Sequence, residues 1–147
     1  MRLTTMTDYA MRLLMYLAHN PDRLCTIAEV AAAYGVSEAH LMKVTHQLGR
    51  AGFIETVRGK GGGMRLAAAP AAVNLGEVVR AIEPDFALVE CFGNGSRCAL
   101  TEYCRLAGVF AGALESFLAH LHRHTLADLL PDLPAAATSG PSRPRIR

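Results

Sequence analysis

Apolar residues recur at helical spacing along most of the chain. Ala10, Leu13, Leu14, Leu17 and Ala18 mark one face of a first helix over Thr7 to His19, which Asn20, Pro21 and Asp22 end. Ile27, Val30 and Ala31 mark a second helix, opened by Thr26-Ile27-Ala28-Glu29. There the threonine oxygen can cap the amide of Glu29, and the glutamate can reach back to the amide of Thr26. That helix stops near Tyr34-Gly35. After a short turn, Ser37 is a candidate N-cap for a third helix with Leu41, Val44, Thr45 and Leu48 on its inner face, broken by Gly52. The pattern then changes. Phe53 to Val57 reads as a short strand, Arg58-Gly59-Lys60-Gly61-Gly62-Gly63 as a loop and Met64-Arg65-Leu66 as a second strand, together a β-hairpin.

Farther on, Asn74 caps another helix, with Glu77 at the capping-box position and Pro84 beyond its end. Cys91 to Cys104 is a loop containing Gly93, Asn94, Gly95 and Ser96. A long helix begins near Thr101 or Arg105 and runs to His122, striped by Leu106, Val109, Phe110, Ala113, Leu114, Phe117, Leu118 and Leu121. That stripe is more apolar surface than a domain this small covers by itself, so part of it is expected to form a dimer contact. The tail from Pro131 is rich in Pro, Ala and Ser and is expected to be disordered.

Helix, capped helix, tight turn, capped helix and basic hairpin is the order of a winged helix-turn-helix. The third helix is short enough to lie in a major groove. Its outer face offers Ser37, His40, Lys43, His46, Gln47 and Arg50 to phosphates and base edges. The hairpin tip has four glycines among six residues, so its backbone can approach a phosphate strand closely, while Arg58, Lys60 and Arg65 supply charge. Taken alone, the third helix is equally an ordinary amphipathic helix with a solvated face. The combination with the hairpin favours DNA. A nucleotide-binding glycine loop does not fit residues 58–65, which lack the G-K-[ST] ending and do not lead into a helix.

The chain has 147 residues, half of them apolar, and a net charge of only +2, so the placement of its basic residues says more than their sum. The N-terminus lacks the basic start, continuous apolar core and cleavage site of a signal peptide, and no segment is long and apolar enough to span a bilayer. A cytoplasmic location is therefore expected. Thiols stay reduced there, so the four cysteines read as ligands or redox centres rather than a disulfide framework.

Cys91, Cys98 and Cys104 are separated by six and then five residues, and can converge on one metal or cluster. The spacing is too wide for the paired knuckles of structural zinc sites, and soft thiolates favour an iron–sulfur cluster. Zinc and redox-active thiols remain alternatives. A small thiol oxidoreductase using Cys98 or Cys104 is the enzymatic rival, but the loop has no C-x-x-C pair. Cys25 stands apart and reads as a small buried hydrophobe. His120, His122 and His124 suit the carboxyl end of the long helix. Asp8 suits the start of the first helix and can pair with Arg12 one turn on.

MRLTTMTDYAMRLLMYLA, the segment from Ile27 through the VRGKGGGMRL wing, VVRAIEP and the cysteine spacing together resemble the iron–sulfur winged-helix repressors that include IscR and NsrR. TDYAMR and HTLADL are most similar to the nitric-oxide-sensitive members. The resemblance runs from residue 1 to about residue 130 and leaves only the tail. It implies a homodimer in which two long helices cross, bound to double-stranded operator DNA and released by nitric oxide. It also implies a cluster, 4Fe–4S rather than 2Fe–2S, on Cys91, Cys98 and Cys104, completed by Asp8 of the partner subunit. IscR-type members use a histidine three residues after the last cysteine; Ala107 stands there, so that pattern fails. The implied organisation is mainly α. A winged helix-turn-helix with its following helix occupies 1–83, a cluster-binding loop 84–104, a dimerisation helix with a short C-terminal helix 105–130, and a tail 131–147.

Overall fold

The computed structural model describes residues 2–93, 98, 100 and 103–130. Its helices are α1 (Thr5–Ala18), α2 (Ile27–Tyr34), α3 (Glu38–Arg50), α4 (Leu75–Ile82) and α5 (Arg105–His122), with a hairpin of β1 (Ile54–Val57) and β2 (Gly63–Leu66) between α3 and α4. Short 3-10 turns cover Pro70–Ala72, Glu90–Phe92 and Leu126–Leu129. The mainly helical winged helix-turn-helix expected from the sequence is the fold found. The tail expected to be disordered lies outside the described residues, as does part of the cysteine loop.

α1 is the centre of the core. Ala10, Leu13, Leu14 and Leu17 are buried on one face, packed against α3, α4 and β2. The inner face of α3 is Leu41, Val44, Thr45 and Leu48, all buried. Local capping opens α2: Glu29 donates its amide to Thr26 Oγ1 at 3.3 Å and accepts the Thr26 amide on Oε2 at 3.1 Å. Ser37 occupies the N-cap of α3 as expected, but its side chain makes no capping bond. The hairpin is antiparallel, with Glu55 opposite Arg65 and Thr56 opposite Met64. Gly59 and Gly61 turn it at φ 94° and 78°, a region that side chains disfavour. Cys25 pairs with the other edge of β2, exchanging both backbone bonds with Met64 at 2.9 and 2.8 Å.

Two long-range contacts join the ends of the chain to this core. Glu83, the residue after α4, accepts the Thr4 amide at 2.8 Å, the Thr4 hydroxyl at 3.1 Å and the hydroxyl of buried Thr7. Thr4 itself makes no side-chain cap, so this distant carboxylate caps α1. At the other end α5 docks on α4. Asn74 caps α4 through the Glu77 amide at 3.2 Å, but the Glu77 carboxylate does not close the capping box expected from the sequence. It meets His122 Nε2 at 2.6 Å instead. His122 Nδ1 lies 2.8 Å from the Leu118 carbonyl. A side chain at Gly76 would overlap the imidazole, so glycine is what lets the two helices approach.

The long-helix stripe divides. Leu118 is buried within the chain, and Phe117 lines a cleft with Thr4, Glu83 and Leu88. Leu106 and Val109, nearer the start of α5, are 57% and 67% exposed. Beyond α5 the chain returns: Leu126 donates to Val73 at 2.8 Å and is fully buried. α5 is thus held at its C-terminal end and bare near its N-terminal end.

Removing the Glu83 carboxylate leaves a buried hydroxyl and a helix-start amide without their acceptor. Glu83→Ala is expected to cost about 1–3 kcal/mol in urea unfolding, and Glu83→Gln less. An unchanged midpoint for Glu83→Ala would show that the cap contributes nothing.

Both ring nitrogens of His122 face acceptors, so the doubly protonated ring fits best. The Leu118 carbonyl and then Glu77 raise its pKa above 6.5, while Arg80 opposes them. A raised folded-state pKa contributes stability that is complete below the unfolded value and is lost as pH rises through the folded value. The gap in Tm between wild type and His122→Gln should therefore be widest at the acid end of about pH 5–8 and narrow upward. A constant gap across that range would assign His122 a packing role alone.

Candidate nucleic-acid interface and cysteine loop

α3 turns one face to the core and the opposite face outward. Ser37, His40, Lys43, His46, Gln47 and Arg50 are all exposed. His40 is held on one flank by Tyr9 of α1, with ring centroids 6.1 Å apart. On the other flank, Met42, His46 and Arg50 face Thr56, Val57 and Arg58 across a groove between α3 and the wing. One strand of a duplex could lie there between two arginines. Arg58 and Lys60 are exposed, and neither takes part in an ion pair among the described residues. Arg65 differs. Its Nε and Nη2 reach Glu55 Oε2 at 3.0 and 2.9 Å, so its charge is already partnered across the hairpin. The pair is half exposed and of small energetic worth, so a phosphate can compete for the arginine. The sequence reading passes over Met42. The available signal was an apolar residue lying off the Leu41, Val44, Thr45 and Leu48 face.

The cysteines separate into two kinds. Cys25 is fully buried, and burial pushes its thiol pKa up, as expected for a small core residue. Cys91 and Cys104 are partly exposed thiols and Cys98 is exposed. Cys91 lies in the Glu90–Phe92 turn, and Cys104 is the N-cap residue of α5, whose first turn holds no acid. Soft donors outside the apolar core, spaced along one loop, fit an iron–sulfur group by their chemistry. Among the described residues no three His, Cys, Asp or Glu side chains are gathered as metal ligands. Asp8 is half exposed and pairs with Arg12 at 2.9 Å, the bland arrangement foreseen from spacing. Of the histidines, His122 serves α5 docking; His120 meets Arg123 at 2.8 Å and His124 lies 3.9 Å from Asp128.

A helix-turn-helix with an exposed polar second helix and a basic glycine-rich wing defines a winged-helix transcriptional regulator. The family model for Rrf2, iron-dependent transcriptional regulator, matches residues 3–132. The chain belongs to the Rrf2 family, one of regulators and not enzymes, which sets aside the oxidoreductase alternative. Within it the chain is NsrR-like. It is 48% identical over 132 residues to the HTH-type transcriptional regulator NsrR of Halalkalibacterium halodurans, covering 88% of this chain and 90% of that one. It is 48% identical over 134 residues to NsrR of Geobacillus kaustophilus, covering 90% and 91%. Among solved structures, a putative transcriptional regulator from Listeria innocua has a TM-score of 0.69 at 24% identity, covering 99% of this chain and 97% of that one. IscR of T. potens has a TM-score of 0.69 at 24% identity, covering 96% and 94%. These two likenesses concern the fold. No helix among the described residues is long and apolar enough to cross a membrane.

Proposed function

We propose that the chain is a cytoplasmic, homodimeric repressor whose hold on operator DNA is set by an iron–sulfur cluster responsive to nitric oxide. The observation that carries this reading is the contrast between Cys25, sealed in the core, and Cys91, Cys98 and Cys104, kept out of it on one loop. The similarity to NsrR proteins along nearly the whole chain supports it. When bound, the cluster, 4Fe–4S by resemblance, supplies iron sites that react with nitric oxide.

The chain's own residues do the rest. Ser37, His40, Lys43, His46, Gln47 and Arg50 meet the major groove, and Arg58, Lys60 and Arg65 meet phosphates. Cys91, Cys98 and Cys104 hold the cluster, with Asp8 of the partner subunit as fourth donor. An exposed Asp8–Arg12 pair is weak enough to yield that carboxylate. The bare apolar residues Leu106 and Val109 form the dimer contact. Glu83 links the parts: it precedes the loop that carries Cys91 and caps α1, which packs on α3.

The test is anaerobic purification of wild type, Cys91→Ala, Cys98→Ala, Cys104→Ala and Cys25→Ala. Iron, zinc, sulfide and DNA affinity are then measured before and after nitric oxide. The loop variants should lose iron and the nitric oxide response, whereas Cys25→Ala keeps both. Zinc in place of iron, with DNA affinity unmoved by nitric oxide, would favour a cluster-free zinc- or thiol-dependent regulator of the same fold.

Salt dependence separates the wing cations. Lys60→Ala should lower the slope of log affinity against log salt by about one unit, as for one lost phosphate contact. Arg65→Ala should lower it by less, because Glu55 already partners that charge. Equal slopes for wild type and Lys60→Ala would take the wing tip off the DNA.

A further inference from the structure

Among the described residues, the six most exposed large apolar side chains fall in two places. Leu100, Tyr103, Leu106 and Val109 cluster around the start of α5. Met42 and Val57, 61% and 46% exposed, stand on α3 and β1. The second pair has no role in the core. The inner face of α3 is already filled by Leu41, Val44, Thr45 and Leu48, and Met42 points off it. Met42 and Val57 instead line the groove between α3 and the wing, with Arg50 and Arg58 on its walls. A Cβ at Gly49, also lining the groove, would meet nothing within 4 Å, so the groove is open there. Glu55 is the one carboxylate in this wall, and its charge is taken up by Arg65.

A cationic groove with an apolar pair in it fits a partner that is anionic outside and locally apolar within reach. Duplex DNA is such a partner, and in the major groove the thymine C5-methyl is its apolar feature. Methionine is long, unbranched and polarisable, and adapts to such a contact. We infer that Met42 is a specificity-determining residue that reads a thymine methyl, on the DNA strand whose phosphates Arg50 and Arg58 straddle. This rests on the DNA-binding reading above and adds the base it selects.

The test uses the full chain and a duplex selected by the wild-type protein from a random pool. Each thymine is replaced in turn by deoxyuridine, symmetrically in both half-sites, which removes only the methyl. At one position the replacement should weaken wild type about fourfold per half-site, the worth of one methyl-sized group returned to water. Met42→Leu should respond in the same way. Met42→Ala should bind the thymine duplex more weakly by a similar factor and should not respond at that position. Far-UV circular dichroism and the Met42→Leu variant separate lost reading from lost folding. If Met42→Ala responds to every replacement as wild type does, or if no position responds, the inference is overturned and the DNA-binding reading stands. A wild-type protein that selects no sequence from the pool overturns both.

Discussion

Burial of one face of α1 is the constraint on which the rest of this fold depends. Ala10, Leu13 and Leu14 are fully buried, and that face meets α3, α4 and β2 together. Neither the helix-turn-helix nor the wing has a core of its own. α2 and α3 bury a single stripe each, and the hairpin buries Ile54 and Met64. These elements become a domain only by closing over α1. The helix start matters as much as its middle, because the first amides of a helix have no partner within it. Glu83 supplies that partner from the far end of α4, so the same carboxylate orients α1 and holds α4 against it.

With α1 filling the centre, α3 can be core on one side and open on the other. Its buried positions repeat at helical spacing, and every residue between them is exposed. The wing then stands beside the open face, held there because Cys25 extends the sheet to Met64 and Met64 is buried against the core. Cys25 is in that role a structural residue. A buried, unreactive thiol between two backbone bonds offers a metal nothing, which is why cysteine count alone overstates the number of candidate ligands in this chain.

What could be read from the sequence was what depends on near neighbours. The Thr26–Glu29 box joins residues three positions apart, and its two bonds form as the spacing predicts. The faces of α1 and α3 follow from periodicity, because each packs along its whole length. Where a residue's partner lies far along the chain, local rules misassign it. Glu77 has the right spacing for a capping box, yet His122, 45 residues on, is the nearer claimant for its carboxylate. Glu83 carries no signal of its role, since Thr4 is 79 residues away. The stripe on α5 is one pattern in sequence but serves two purposes in space, intrachain packing at Leu118 and exposure at Val109. Among the candidate DNA contacts, exposure was legible throughout, but the partnering of Arg65 by Glu55 depends on hairpin register.

The cysteine loop runs from the anchored end of α4 to a helix anchored only at its far end, and this gives it mechanical consequence. It begins at Pro84, one residue after the carboxylate that caps α1, and ends at Cys104, the N-cap residue of α5. α5 is fixed at its other end by the Asn74 amide on the His122 carbonyl at 2.7 Å and by the returning Leu126. A change in the separation of Cys91 and Cys104 therefore has few places to go. It can be absorbed within the loop, or it can move the start of α5 or the Glu83 cap. The first leaves DNA affinity untouched. In the proposed dimer, the second changes the bare apolar end through which two copies would meet, and hence the spacing of their α3 helices. The third changes how α1 sits against α3 within one chain. Regulation requires that two states differ in DNA affinity, and mere connection between sites does not suffice. Of the two productive routes, movement at the start of α5 encounters less resistance, because the largely exposed Leu106 and Val109 have little intrachain packing to lose, whereas shifting Glu83 breaks bonds to Thr4 and buried Thr7 at once.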